Sequence, residues 1–218
     1  MSIYKHPGGR RFLFIHIPRT GGRFIESNLE SNEWRCEPID HYGVPHYNHS
    51  FIDDCEITHF HRELYEKYFG KEDIPHLTII RNPIDKFLSA SIYLTQAYGL
   101  NIQKAAEDES QLYDMIHEYP KPENLNWWRP QVDFLSDKTH IWRYENGLGR
   151  RFSKWLSEII GVNIKMDAFA KYPTNRHERT GQLSRTPKLI ENIKKICKQD
   201  IEQLYPELII LNYCNGNL

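Results

Sequence analysis

The chain has 218 residues, of which 39% are hydrophobic, 13% aromatic and 26% charged, and this composition excludes a disordered chain. Its formal net charge of −1 excludes a generally cationic coat for nucleic acid, so we expect no nucleic-acid partner. The length suits one domain, which we expect to span residues 1–218.

The four cysteines are scattered and form no Cys-x-x-Cys pair, so the sequence predicts neither a zinc knuckle nor a redox motif. No run of residues approaches the roughly 18 apolar positions of a membrane helix. The first residues also lack the apolar region and cleavage site of a signal peptide. We therefore expect no membrane span and a cytoplasmic location, although a luminal domain clipped from its anchor would have the same composition.

Residues 11–29, RFLFIHIPRTGGRFIESNL, combine three predicted elements. An apolar run of strand length ends at Pro18, and Thr20, Gly21 and Gly22 then open a segment with helical spacing. The apolar positions of that segment are Phe24, Ile25 and Leu29. The pattern predicts a strand, a glycine turn and a helix.

The glycine turn has the features of an anion-binding loop. Free N–H groups at a helix start and the positive end of the helix dipole favour a phosphate or sulfate group. Arg19 and Arg23 flank the turn, and no acidic residue precedes Glu26. A Walker A loop is excluded because the glycine pair is followed by Arg23 and Phe24 rather than Lys and Ser or Thr. A plain strand-to-helix turn with surface arginines remains the alternative.

Residues 31–54 show no clean period and are predicted to form a long loop that carries His41, His46 and His49. These histidines lack helical or strand spacing. Solvated or hydrogen-bonding histidines are therefore favoured over a metal site, and we expect no metal.

Residues 55–60 are predicted to form a short strand that ends at His59, Phe60 and His61, before a helical segment. Side chains at the carboxyl edge of a parallel sheet reach the cleft where such sheets bind ligands. The histidine pair is therefore a candidate functional feature, with structural histidines as the alternative.

Residues 76–80 read as a buried strand, which ends at Arg81 before a helix over residues 84–98. Arg81 at the strand tip and Ser89 in the helix are candidates for one ligand. The alternative makes Arg81 a surface residue at the helix start and Ser89 a packing residue.

An acidic region over residues 104–145 contains Trp127, Trp128 and Arg129, which either line an acceptor groove or pack in the core. The later segments are a strand at 140–144, a helix ending before Gly161, a basic loop at 172–187 and a helix at 188–204. Strands that alternate with helices predict an α/β fold in which helices cover both faces of a parallel sheet.

Two of these motifs together resemble the sulfotransferases that use 3′-phosphoadenosine-5′-phosphosulfate (PAPS), in particular the carbohydrate type that includes heparan sulfate O-sulfotransferases. IHIPRTGG at 15–22 resembles their 5′-phosphosulfate loop, and IIRNPIDKFLS at 79–89 resembles their 3′-phosphate motif. The Trp-Arg-Pro-Gln stretch and RYEN at 143–146 are also similar to family patterns. The resemblance spans roughly residues 10–210 and implies a single-domain, P-loop-like sulfotransferase fold.

The resemblance implies a cofactor, a base and an acceptor. PAPS would leave as the bisphosphate PAP after its sulfuryl group moves to a hydroxyl, which is expected to be on a carbohydrate. The implied general base is His61, and His59 is the second candidate. The implied acceptor contacts are Trp128, Arg129 and His46. The remaining residues are implied in cofactor binding: Arg19, Thr20, Gly21, Gly22, Arg23 and Phe24 for the 5′-phosphosulfate, Arg81 and Ser89 for the 3′-phosphate, and Asn175, Arg176 and Arg179 in a closing loop.

Two positions depart from the family pattern. The family usually has Lys where this chain has Arg19, and a small hydroxyl residue where it has Arg23. Arg19 stays charged, so it would stabilise the leaving phosphate without donating a proton. Two other functions stay open: a P-loop nucleotide kinase or NTPase, disfavoured by the missing Lys-Ser/Thr pair, and a nucleotide-binding module without catalysis.

Overall fold

The protein is described by a computed structural model that divides into two compact units. The first unit comprises Met1–Arg81, Asn124–Asn126 and Phe134–Thr174, and the second comprises Asn82–Glu123, Trp127–Asp133 and Asn175–Leu218. The structure describes residues 2–37, 51–53, 55–70, 72–98, 108, 110, 111, 114, 116, 126–166 and 185–209.

The described strands all belong to the first unit. They are β1 (Ser2–Lys5), β2 (Arg11–Ile15), β3 (Arg35–Cys36), β4 (Phe51–Ile52), β5 (Cys55–Glu56), β6 (His76–Ile80) and β7 (Thr139–Arg143). Five of them form one sheet in the order β3-β1-β2-β6-β7, and β4 pairs with β5 in a separate two-stranded sheet. The strands β2, β6 and β7 are parallel, whereas β1 runs antiparallel to both β2 and β3.

The described helices belong to both units. They are α1 (Gly22–Ser31), α2 (Arg62–Phe69), α3 (Pro83–Tyr98), α4 (Arg150–Ile160), α5 (Pro187–Ile196) and α6 (Lys198–Leu204). The predicted α/β fold class is therefore confirmed, with parallel strands at the centre of the sheet. Among the described helices, none combines the length and the apolar character needed to cross a bilayer.

The antiparallel strand β1 was not predicted from the sequence. It pairs with β2 through a turn in which His6 N–H donates to Arg10 O (2.9 Å) and Gly9 adopts a φ of 82°. Four residues without clear alternation of apolar and polar positions are too few to predict a strand from the sequence. The strand forms because its backbone pairs with β2.

The core of the first unit explains the order of its elements. Phe12, Leu13, Phe14 and Ile15 of β2 are each at most 3% exposed, so both faces of that strand are covered. The helix α4 presents an apolar stripe to the same core, and its described members include Phe152, Leu156 and Ile160. As predicted, this helix ends at Gly161, which adopts the left-handed conformation with φ 69°.

The predicted strand over residues 55–60 is shorter in the structure. Only Cys55 and Glu56 are extended, and Ile57–His59 form a 3-10 turn. Asn126 Nδ2 donates to His59 O at 2.8 Å, which occupies that carbonyl group outside any strand ladder. His59 is therefore the last residue of a turn and His61 precedes the helix α2, and neither belongs to a strand of the main sheet.

The second unit is helical in its described part. Asn82 Oδ1 accepts from the N–H of Ile84 (3.0 Å) at the start of α3, and Thr186 Oγ1 accepts from Leu189 N–H (3.2 Å) at the start of α5. The predicted helix at 188–204 is divided into α5 and α6 at Cys197. The helices α3 and α5 meet in an apolar contact, formed by Ile84, Phe87, Leu88, Ile92, Leu189 and Ile193.

Candidate functional site

The glycine turn joins β2 to α1 through two residues in the left-handed conformation. Arg19 has a φ of 66° and Gly21 a φ of 102°. Such backbone conformations turn successive N–H groups toward one side and create a concavity for an anion. The helix α1 begins at Gly22, and its first turn contains no acidic residue. The N–H groups of Phe24 and Ile25 turn back to Gly21 O, so Gly22 and Arg23 are the first residues of the helix whose N–H groups would face an anion. Anion binding at this turn stays a prediction.

Arg81 at the end of β6 contacts this turn directly. Its Nη1 donates to the carbonyl oxygen of Arg19 at 3.1 Å, and its guanidinium lies 4.8 Å from the centre of the Tyr144 ring. Gly21 packs on the same ring, because a Cβ built on it would lie 3.1 Å from Tyr144 Cε2. The parallel pairing of β2, β6 and β7 brings these residues to one edge of the sheet. The glycine turn after β2 and Arg81 at the end of β6, which belong to two separate predicted motifs, are therefore in contact.

The side chains of the turn have different environments. Thr20 is buried, and its hydroxyl donates to Ile17 O at 2.8 Å, so its hydrogen is used inside the turn. Phe24 packs against the core, and its N–H donates to Gly21 O at 3.1 Å. Arg23 is exposed and Arg19 half-buried. Of the four side chains, the two arginines are the ones that suit a charged ligand.

The side chains of His16, Glu26, Glu56 and His59 form a group next to the glycine turn, which we call the histidine cluster. His16 Nδ1 lies 3.0 Å from Glu26 Oε1, and His59 Nδ1 lies 2.6 Å from Glu56 Oε2. The His16 and His59 rings meet edge to face, with centroids 5.1 Å apart and planes at 77°. All four side chains are at most 13% exposed. Each imidazole therefore lies beside a carboxylate, and His16 is hydrogen-bonded to its carboxylate.

The environment of His59 favours its neutral form. Burial lowers its pKa from 6.5 to about 4, although the neighbouring Glu56 carboxylate acts in the opposite direction. The Glu56 carboxylate lies 2.6 Å from Nδ1 of His59, although the contact does not have hydrogen-bond geometry. A neutral imidazole can accept a proton at neutral pH.

The second candidate histidine, His61, caps α2 through its backbone. Its carbonyl oxygen accepts from the N–H groups of Leu64 (3.1 Å) and Tyr65 (3.0 Å), and its side chain is half-buried. Phe60 between the two histidines is 1% exposed. His59 is the candidate histidine whose described contacts belong to the histidine cluster.

In the second unit, the predicted acceptor residues pack on α3. The Trp128 ring lies 4.8 Å from the Phe87 ring, and Trp127 lies 4.9 Å from Tyr93. Buried Lys86 donates from Nζ to the carbonyl oxygens of Trp127 (2.9 Å) and Arg129 (3.2 Å). These contacts agree with the core-packing alternative for the tryptophans.

The other predicted residues of the second unit give less information. Ser89 is half-buried on α3, and Arg129 lies 3.5 Å from Asp133. Asn175, Arg176 and Arg179 lie outside the described residues, as does His46 of the predicted long loop. Within the described part of the chain, no three His, Cys, Asp or Glu side chains are grouped as a metal site requires.

Sequence reasoning missed Glu26, Glu56, Tyr144 and the role of His16. For Glu56 a local signal exists, because it lies three residues before His59 and meets it across one turn. His16 and Glu26 are ten residues apart, and His16 and His59 lie on separate elements. No sequence period predicts those contacts.

Comparison with known proteins finds a similar solved structure. No protein-family model and no curated protein matches the chain. The chain is similar to a crystal structure of a sulfotransferase from Alicyclobacillus acidocaldarius, at 13% sequence identity and a TM-score of 0.47. The similarity covers 88% of this chain and 93% of that one.

The close approach of His16 to Gly22 predicts a large effect of one methyl group. A Cβ at Gly22 would overlap the His16 ring, so Gly22→Ala is expected to lower the free energy of unfolding by about 1–3 kcal/mol. Gly149→Ala is the control, because nothing lies within 4 Å of its Cβ position. Its effect should stay below about 0.5 kcal/mol in urea unfolding. Equal effects of the two substitutions would contradict the packing described here.

The depressed pKa of His59 predicts an acid-sensitive fold. The unfolded chain binds a proton near pH 6.5, whereas folded His59 binds it only near pH 4. The free energy of unfolding should therefore fall as the pH drops through this window, by up to about 3 kcal/mol from this residue. Urea unfolding of His59→Gln between pH 4 and 7 should show a shallower pH slope. His140→Gln, an exposed control, should keep the wild-type slope, and an unchanged slope in His59→Gln would exclude the assignment.

Proposed function

We propose that the protein is a sulfotransferase that moves a sulfuryl group from PAPS to an acceptor hydroxyl and releases PAP. The acceptor is expected to be a carbohydrate. The observation that carries the proposal is the contact between Arg81 and the glycine turn, which joins two motifs at one anion-binding corner. Cationic side chains and backbone N–H groups are the means by which proteins hold phosphosulfate and phosphate groups.

The corner supplies groups for both charged ends of the cofactor. The N–H groups of the turn and the guanidinium of Arg19 suit the 5′-phosphosulfate, with Arg23 at the exposed rim. Arg81 donates to Arg19 O, and its guanidinium is a permanent cation beside the turn, which suits the 3′-phosphate. The cofactor roles of Ser89, Asn175, Arg176 and Arg179 stay predictions from the sequence resemblance.

In the proposed reaction the acceptor oxygen forms a bond to sulfur while the bond from sulfur to the bridging phosphate oxygen breaks. The electron pair leaves with PAP, and the hydroxyl proton passes to a base. Positioning and charge stabilisation supply most of the acceleration in the related phosphoryl transfers. Permanent positive charge at the turn stabilises the leaving phosphate without a metal ion in the step.

We assign the base to His59 rather than to His61. Burial keeps the His59 ring neutral at pH 7, and the Glu56 carboxylate lies 2.6 Å from its Nδ1. His59 also belongs to the histidine cluster that lies against the glycine turn through His16. A positioned base contributes roughly 10²–10⁴-fold to such a step.

Binding is tested by thermal shift with PAP and, separately, with ATP and Mg²⁺. PAP at 100 times its Kd should stabilise the protein by about 2.7 kcal/mol, or roughly 5–10 °C for this size. Arg81→Met should abolish most of that shift, whereas Arg35→Met, at the β3 edge, should retain it. A shift with ATP alone would favour a nucleotide kinase. A PAP shift without transfer of labelled sulfate to any glycan, lipid or alcohol would favour a non-catalytic module.

Base assignment is tested by His59→Ala and His61→Ala in the same transfer assay. His59→Ala should lower kcat by about 10²–10⁴-fold and keep the PAP thermal shift, because the turn is untouched. His61→Ala should lower kcat by less than about tenfold, because the substitution keeps the backbone contacts of residue 61 at the start of α2 and leaves His59 in place. The opposite order of effects would return the base to His61.

A further inference from the structure

His16 occupies the space between the glycine turn and the proposed base. It follows β2 directly, it is 7% exposed, and its ring fills the position where Gly22 would carry a Cβ. Its other side meets the His59 ring at a centroid distance of 5.1 Å. No part of the proposed cofactor or base chemistry uses this side chain so far.

Glu26 holds His16 in this place. The carboxylate lies 3.0 Å from His16 Nδ1, and the two side chains are 9% and 13% exposed. Glu26 is four residues beyond Gly22 in α1, so both are on the same face of the helix that begins at the turn. The His16 ring is therefore fixed to the turn at two points, by packing and by a hydrogen bond.

We infer that His16, oriented by Glu26, is a positioning residue that sets the His59 ring at a fixed place relative to the glycine turn. The catalytic meaning of this inference rests on the proposed sulfotransferase function, whereas the contact itself does not. Glu56 restrains His59 at Nδ1, and His16 restrains the ring from a second direction. Two restraints define the ring plane, and a displacement of about 1 Å between reacting groups can cost 10²-fold in rate.

The charged groups around His59 come from three elements. Glu56 faces it from its own turn, His16 faces it from the end of β2, and Glu26 of α1 faces His16 in turn. The amino terminus adds a weaker positive contribution that also disfavours the protonated His59 ring. Removal of the His16 ring opens the site to water and removes a neighbour that disfavours protonation. Both changes should move the proton affinity of His59 upward.

The kinetic test compares His16→Ala with the double variant His16→Phe/Glu26→Gln. His16→Ala should lower kcat by roughly 10–100-fold while the KM for PAPS changes by less than about threefold. The double variant keeps an aromatic ring between the turn and His59 and removes the negative charge that faces His16. It should recover kcat to within roughly threefold of the wild type, and a loss equal to that of His16→Ala would overturn the positioning role.

A second readout needs neither cofactor nor activity. NMR titration of the labelled His59 imidazole should show a midpoint near pH 4 in the wild type and a higher midpoint in His16→Ala. His76→Ala is the matched control, because it removes another buried histidine ring, at the start of β6, and it should change neither the His59 midpoint nor kcat. Thermal melts of all variants establish that each is folded before it is titrated.

The outcomes separate this inference from the proposed function. A wild-type protein that neither binds PAP nor transfers sulfate contradicts the proposed function, and the NMR titration still decides whether His16 controls the environment of His59. An active wild type with unchanged kcat and an unchanged His59 midpoint in His16→Ala overturns the inference alone. A raised midpoint together with reduced kcat supports both.

Discussion

The hydrogen bond from Arg81 to the carbonyl oxygen of Arg19 is the constraint on which the candidate site depends. Arg19 adopts the left-handed conformation, which costs a non-glycine residue about 1–2 kcal/mol. A hydrogen bond from a charged donor contributes about 1.5–3 kcal/mol, enough to offset that cost. The guanidinium also lies on the Tyr144 ring, which follows β7. The shape of the turn is therefore determined by residues after three neighbouring parallel strands.

The histidine cluster extends this constraint below the turn. Because Gly22 has no Cβ, the His16 ring reaches the start of α1, and from there it meets His59. Buried carboxylates are costly unless they accept hydrogen bonds, and Glu56 is only 4% exposed. The four side chains are buried in contact with one another, so the cluster connects the turn to His59.

The sequence was informative where the signal is local. The apolar run of β2, the break at Pro18, the glycine pair and most of the helix α1 lie within nineteen consecutive residues, 11–29, and the structure has the elements in that order. The contact between the two strand tips depends on the parallel pairing of β2 with β6, which the structure shows and the sequence analysis did not predict. The strand β1 and the pairing of His16 with His59 could not be predicted, because each depends on partners brought near only by the fold. The turn at Ile57–His59 shares that reason, since Asn126 is 67 residues from the carbonyl it binds.

In the proposed reaction, the arginines and the histidine cluster divide the chemistry between charge and proton transfer. Arginine is a permanent cation, so the stabilisation of the leaving phosphate by Arg19 does not depend on a proton. The base has the opposite requirement, because only a neutral imidazole accepts the hydroxyl proton. A pKa of about 4 secures the neutral form of His59 but also makes it a weak base. Acceleration must then come more from the placement of His59 than from its basicity, and the two carboxylates and His16 around it are the groups that provide that placement.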